Sequence, residues 1–139
     1  MPTNPYRLPA LTLALAVFLA APAFADGAEA ADDLIGTSWQ LTELDGAPTS
    51  PEFTSTANFS ADGVGGNGGC NTYGGTLAVI PDGIDITEIV STMMACDGLA
   101  QEQAFFAVLE ATTGYRIEDG TLLLTGPDDV ILAQLAPAE

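Results

Sequence analysis

Cys70 and Cys96 are the two cysteines of the chain, and no histidine or lysine accompanies them. Cysteine chemistry needs a thiolate, a metal or a partner thiol. A nucleophilic cysteine or serine wants a neighbouring base, and the usual ones are missing. Two thiols without histidine make a poor zinc site, and their spacing is not that of a redox Cys-x-x-Cys. In an oxidising compartment the default is a disulfide, with two free buried thiols as the alternative. Carboxylates are plentiful, with 19 Asp and Glu against Arg7 and Arg116. Paired acids could serve a glycosidase, but no Asp-Thr/Ser-Gly unit is present and no spacing singles out a pair. Enzymatic activity is therefore not expected, and neither is a cofactor.

A third chemical candidate is "GVGGNG" at 63–68, which formally matches Gly-x-Gly-x-x-Gly. A dinucleotide site needs a helix directly after this unit, so that the helix amino terminus can hold the pyrophosphate. Here "GCNTYGGTLAVI" follows and reads as strand, and a phosphate-binding loop would need a lysine. The glycine-rich stretch 63–75 is expected instead to be one sharply bent strand, with glycines at bulges and close backbone approaches. The acidic balance repels nucleic acid and anionic headgroups. It fits solubility in a salty medium or, alternatively, a site for cations or a basic partner.

The elements that must position these residues are short. Asp-Gly recurs at 45–46, 62–63, 82–83, 97–98 and 119–120, where Asp tolerates and Gly prefers left-handed backbone. Between these turns lie strand-like runs at 37–44, 56–60, 75–80, 84–92, 115–119, 121–125 and 130–135. One stretch differs. Residues 97–114 carry helix formers and an apolar stripe of Leu99, Phe105, Phe106, Leu109 and Thr112. Asp97 is expected to cap this helix, Glu102 to sit near its first turn and Gly114 to end it. The pattern predicts a mainly β, α+β domain: a meander of short antiparallel strands closing into a small barrel or rolled sheet, with one inserted helix over an open end or seam.

The amino terminus reads differently. An uninterrupted apolar run at 11–20 follows Arg7 and leads to Ala23-Phe24-Ala25, a small-x-small cleavage pattern. This predicts a secretory signal peptide over 1–25, cleaved after Ala25. The run is too short to span a bilayer stably, so no membrane span is expected after cleavage. Residues 26–35 are small and acidic and read as a linker, leaving one domain over 36–137.

Several units together resemble the META domain of HslJ-type heat-shock proteins. They are Gly69-Cys70-Asn71 with Tyr73 and Gly75, then Thr92 with Met94-Ala95-Cys96, and a helix with Glu102, Phe105 and Leu109. Trp39 and Leu41 fit the early Trp-x-Leu strand. Between Thr92 and Met94, where a basic residue is sometimes found, this chain has Met93. The resemblance implies an exported or envelope-associated cracked barrel, periplasmic or secreted, with a stress link and no established catalytic site. Its shape is similar to lipid-holding pilot proteins of secretion systems.

Two functions are weighed on that basis. One is a monomeric accessory domain that binds an envelope protein. The other is a carrier of a hydrophobic ligand or lipid. An apolar cavity lined by Trp39, Phe105 and Leu109 would favour the carrier, and a filled core the contact domain. The expected contact surface is Tyr73, Met93, Met94 and Phe106, at the helix-covered end of the barrel; the competing expectations are core packing for Tyr73 and filling of a gap under the helix for Met93 and Met94. Asn71 is expected to fix a turn or satisfy backbone groups, and Arg116 to pair with Glu118 or a neighbouring strand. No metal-binding residues are expected.

Overall fold

A computed structural model describes residues 31–138. The sheet strands in chain order are β1 (Ser38–Leu44), β2 (Ala47–Pro48), β3 (Thr56–Phe59), β4 (Gly63–Asn67), β5 (Thr72–Ile80), β6 (Gly83–Ser91), β7 (Gly114–Glu118), β8 (Thr121–Thr125) and β9 (Ile131–Pro137), and the helix α1 (Leu99–Ala111) lies between β6 and β7. All nine strands join one antiparallel sheet in the order β6-β5-β4-β3-β1-β9-β8-β7, with β2 paired to β1. Alternation explains the strands. Trp39 and Leu41 of β1 point inward between exposed Ser38 and Gln40, and Ile84 and Ile86 of β6 flank exposed Asp85. Two of the Asp-Gly pairs, Asp45-Gly46 and Asp119-Gly120, have positive φ at both residues and turn the chain from β1 to β2 and from β7 to β8.

The mainly β fold with one helix is as expected, but the sheet is not closed into a barrel. Its end strands β6 and β7 form no ladder. The chain between them forms α1, which packs against β6 and β1. The two ends touch at a corner, where Ile84 N–H donates to the Thr113 carbonyl at 3.0 Å.

The stretch 63–75 is also not one bent strand. It is a hairpin, β4 and β5, with Gly63 opposite Thr76 and Asn67 opposite Thr72, and Cys70 in the connecting loop. Three glycines in five positions leave β4 with few side chains to pack, so Val64 and its neighbours Phe59 and Tyr73 form the inward face.

Nor does Asp97 cap the helix. The N-cap residue is Gly98, without a side-chain bond, and the helix ends with Thr112 as its C-cap, while Gly114 opens β7. The buried helix face is Glu102, Phe105, Val108 and Leu109, with Leu99 and Phe106 only half-buried. The segment read as a linker is packed from Ala31 onward, because Ala31 and Leu34 are in the core. The proposed cleavage site and residues 26–30 lie outside the described residues.

The core closes over Trp39, Phe105 and Leu109, all buried in one cluster with Leu77, Leu122 and Leu135. Trp39 Nε1–H donates to Thr37 Oγ1 at 2.6 Å, which satisfies the polar edge of the indole.

Candidate functional site

The family-like residues converge where the β4–β5 loop meets the start of α1. Glu102 is in the first turn of α1 and only 2% exposed. Its Oε1 accepts the backbone N–H of Cys70 at 3.2 Å and of Asn71 at 2.6 Å, and its Oε2 accepts Asn71 Nδ2 at 2.7 Å. The carboxylate thus fixes the loop from below. Space for it exists because position 68 is glycine. A Cβ there would lie 2.7 Å from Glu102 Cγ and 2.8 Å from Phe106 Cε1. Gly69, with φ of +133°, takes a backbone conformation that side chains disfavour.

Asn71 extends the network in the other direction. Its Oδ1 accepts Met94 N–H at 2.6 Å and the Thr92 hydroxyl at 3.0 Å, while Nδ2 also donates to the Met94 carbonyl at 3.0 Å. Both side-chain donors and two acceptor positions are filled, so Asn71 fixes backbone, as expected. Among the described residues no buried side-chain nitrogen or oxygen lacks a partner. A group committed in this way is a clamp and has no spare bond to offer a substrate.

The Cys70–Cys96 disulfide joins the same two segments, with Cα atoms 5.9 Å apart. It sits beside the clamp, and Gly98 N–H points to Cys96 Sγ at 3.3 Å. The loop is therefore held to the entry of α1 covalently and by hydrogen bonds.

On the outside of this junction the chain is open. Residues 91–97 are all exposed, Met93 at 95% and Met94 at 65%. With Ala95, Leu99, Gln103 and Phe106 they line a groove of about 250 Å³. Phe106 is its half-buried floor, tilted at 54° against the Tyr73 ring with centroids 5.0 Å apart. Of the expected contact surface, the structure brings Met93, Met94 and Phe106 together there. Tyr73 does not join them. It is 4% exposed, lies edge-on to Phe105, and its hydroxyl donates to the Thr56 carbonyl at 2.7 Å. Burial pushes its pKa well above the ordinary tyrosine value. Gly75 lies away from the groove on β5, opposite a bulge in β6 where Glu88 has φ of +55°.

The residues 32–139 match the META domain family. The chain belongs to that family. Solved structures similar to this META domain agree on the fold. One is the NMR structure of a protein from Burkholderia xenovorans, 21% identical with a TM-score of 0.61, covering 99% of each chain. Another is a crystal structure of a DUF4847 family protein from Bacteroides vulgatus, 15% identical with a TM-score of 0.56, covering 76% of this chain and 95% of that one. Comparison with curated proteins finds no match.

One feature of this META domain was not visible in the sequence. A cleft of about 940 Å³ opens beside the corner where the ends of the sheet touch, with Asp32, Asp33, Asp82, Asp128 and Asp129 on its walls. These acids come from three turns far apart in the chain, so no spacing announces them. Arg116 also lines the cleft and bonds to Glu118 at 2.9 Å and to Asp129. Tyr115 donates to Asp33 at 2.5 Å. Its pKa is raised by burial first, then by that bond and by the charges of Asp33 and Asp32. Among the described residues no three Asp, Glu or Cys side chains are grouped so as to hold a metal ion.

Proposed function

We propose that this META domain is an exported, non-catalytic protein that works by binding a protein partner in the cell envelope, through the groove of Met93, Met94 and Phe106. The observation that carries the reading is the contrast across one junction. Beneath it, Glu102 and Asn71 have their side-chain bonds committed to backbone, to the Thr92 hydroxyl or to each other. Above it, two flexible apolar side chains stand in water on a backbone that this clamp holds in place. Methionine adapts to varied apolar surfaces, and exposed apolar groups on a fixed frame suit a contact site.

The carrier alternative is less well supported. Trp39, Phe105 and Leu109 are packed in the core, and the groove is smaller than the roughly 300–1,000 Å³ usual for small-molecule pockets. Export is supported by the disulfide and by the apolar run that ends at Ala25. Among the described residues no helix is long and apolar enough to cross a membrane.

Native mass spectrometry of the protein purified from its own host tests the reading. A co-purifying envelope protein that is lost in Met93→Asp/Met94→Asp supports it. A retained lipid of one mass supports the carrier instead. Hydrolysis of a peptide or glycan, abolished by changing one carboxylate, would overturn both. An amino terminus at Asp26 in the exported pool checks the processing step.

A further inference from the structure

The chain has three methionines, and the two in its folded domain are neighbours on the surface. Methionine usually fills gaps in cores. Here Met93 is 95% exposed and Met94 65%, at the edge of a groove floored by Phe106. The other sulfur atoms of the domain and two of its aromatic groups are withdrawn. Both cysteines are already joined in the disulfide, and Trp39 and Tyr73 are buried. The accessible reduced sulfur of the folded domain is therefore concentrated at one place.

We propose that Met93 and Met94 form an oxidant-responsive modification site for peroxides, which converts the groove rim from apolar to polar without unfolding the domain. Each thioether sulfur attacks one peroxide oxygen and gives up two electrons. The O–O bond breaks, an S–O bond forms, and the other oxygen leaves with both protons as water when the oxidant is hydrogen peroxide. The product, methionine sulfoxide, is polar and chiral.

The fold is insulated from this change. Met94 is held by its backbone, through its N–H and carbonyl to the Asn71 amide, and that amide is held in turn by Glu102. None of these bonds involves a methionine side chain. The role as a switch of binding rests on the function proposed above; the chemistry at the two sulfurs does not.

The test uses the folded, disulfide-bonded protein and hydrogen peroxide, followed by peptide mass mapping and by retention on a phenyl matrix. The expected result is one oxygen on each methionine, Met93 ahead of Met94, at rates close to those of the same peptide when unfolded. Retention on the phenyl matrix falls, while circular dichroism and the urea midpoint hold. Met93→Leu/Met94→Leu keeps its retention through peroxide treatment, and Met93→Gln/Met94→Gln elutes early without it. Protection of either sulfur relative to the unfolded peptide, a drop in urea midpoint on oxidation, or unchanged retention overturns the proposal. A partner that survives Met93→Asp/Met94→Asp counts against the binding reading and leaves the sulfoxide map to be judged by itself.

Discussion

Glu102 serves three N–H donors with two oxygens, at 2% exposure. Removing it would leave Cys70 N–H, Asn71 N–H and one Asn71 amide hydrogen facing a void. Buried donors without acceptors cost about 1–3 kcal/mol each, with some relief from entering water. Glu102→Ala is accordingly expected to lower stability by about 3–5 kcal/mol, read as a urea midpoint. Glu102→Gln keeps the shape but cannot accept at both ends, so it should lose about 1–2 kcal/mol. An Ala variant as stable as the parent would show that the clamp contributes nothing. Tyr73 gives a test with a pH signature. Its folded pKa is raised by burial, so the folded state favours the neutral phenol. That contribution is fully present below the ordinary value of about 10 and is lost as pH rises through the folded value. Stability should therefore fall above about pH 10, and Tyr73→Phe should fall less steeply there. At neutral pH the same change should cost about 1 kcal/mol, for the lost bond to the Thr56 carbonyl. Urea midpoints at neutral pH and at about pH 11 separate the two effects; parallel losses in both proteins would sink the assignment to Tyr73.

At the scale of elements, the β4–β5 hairpin and the entry of α1 behave as one unit, tied by the disulfide and by the clamp. The disulfide joins residues with a sequence separation of 26. In the chain-entropy model, closing a loop of that length restrains the unfolded chain by about 3–4 kcal/mol. Cys70→Ser is expected to lose about 2–5 kcal/mol, and thiol labelling of the denatured, unreduced parent should find no free cysteine. Quantitative labelling at both positions would refute the bond. The strands with alternating side chains were legible from sequence because period two is set by the backbone, as Trp39 and Leu41 show. The glycine-rich stretch was not, because β4 has almost no side chains whose period could separate one bent strand from two paired ones. Asp97 looked like a cap from local propensity. The tertiary demand is instead met by Glu102, whose position in the first turn was readable but whose partners lie on a loop some thirty residues away. Met93 and Met94 carried both readings, contact residues and gap fillers under the helix, because methionine suits either place; the structure leaves them exposed. Tyr73 carried two expectations, core packing and a place on the contact surface, since a strand aromatic beside glycines gives no sign of which face it takes; the structure packs it in the core with its hydroxyl bonded to the Thr56 carbonyl. Barrel closure failed to appear for a similar reason. Whether β6 and β7 pair depends on where α1 lies, and no local pattern encodes that.

For the whole molecule the governing quantity is charge. The chain carries 19 acids against two cations, a formal net charge of −17. Within the described residues the ion pairs centre on Arg116, with Glu118 and Asp129, so most carboxylates have no cation opposite them. Asp32, Asp33, Asp82, Asp128 and Asp129 line one cleft, where like charges repel. Folding concentrates this repulsion, because the unfolded chain can spread its acids apart. Salt should then stabilise the fold. The screening length falls from about 10 Å at 0.1 M to about 3 Å at 1 M ionic strength. Each kcal/mol of repulsion removed raises the melting temperature of a small domain by about 4–8 °C. Sodium chloride over that range is expected to raise it by about 5 °C or more. Neutralising the cleft should imitate the salt. Asp82→Asn/Asp128→Asn is expected to melt higher than the parent in dilute buffer and to gain less from added salt. Asparagine suits the second position, since Asp128 has φ of +60° and asparagine accepts that backbone. The pair of measurements isolates charge from general salting-out, which would act equally on both proteins. Equal salt slopes, or a variant that melts lower in dilute buffer, would show that the acids of the cleft do not oppose the fold.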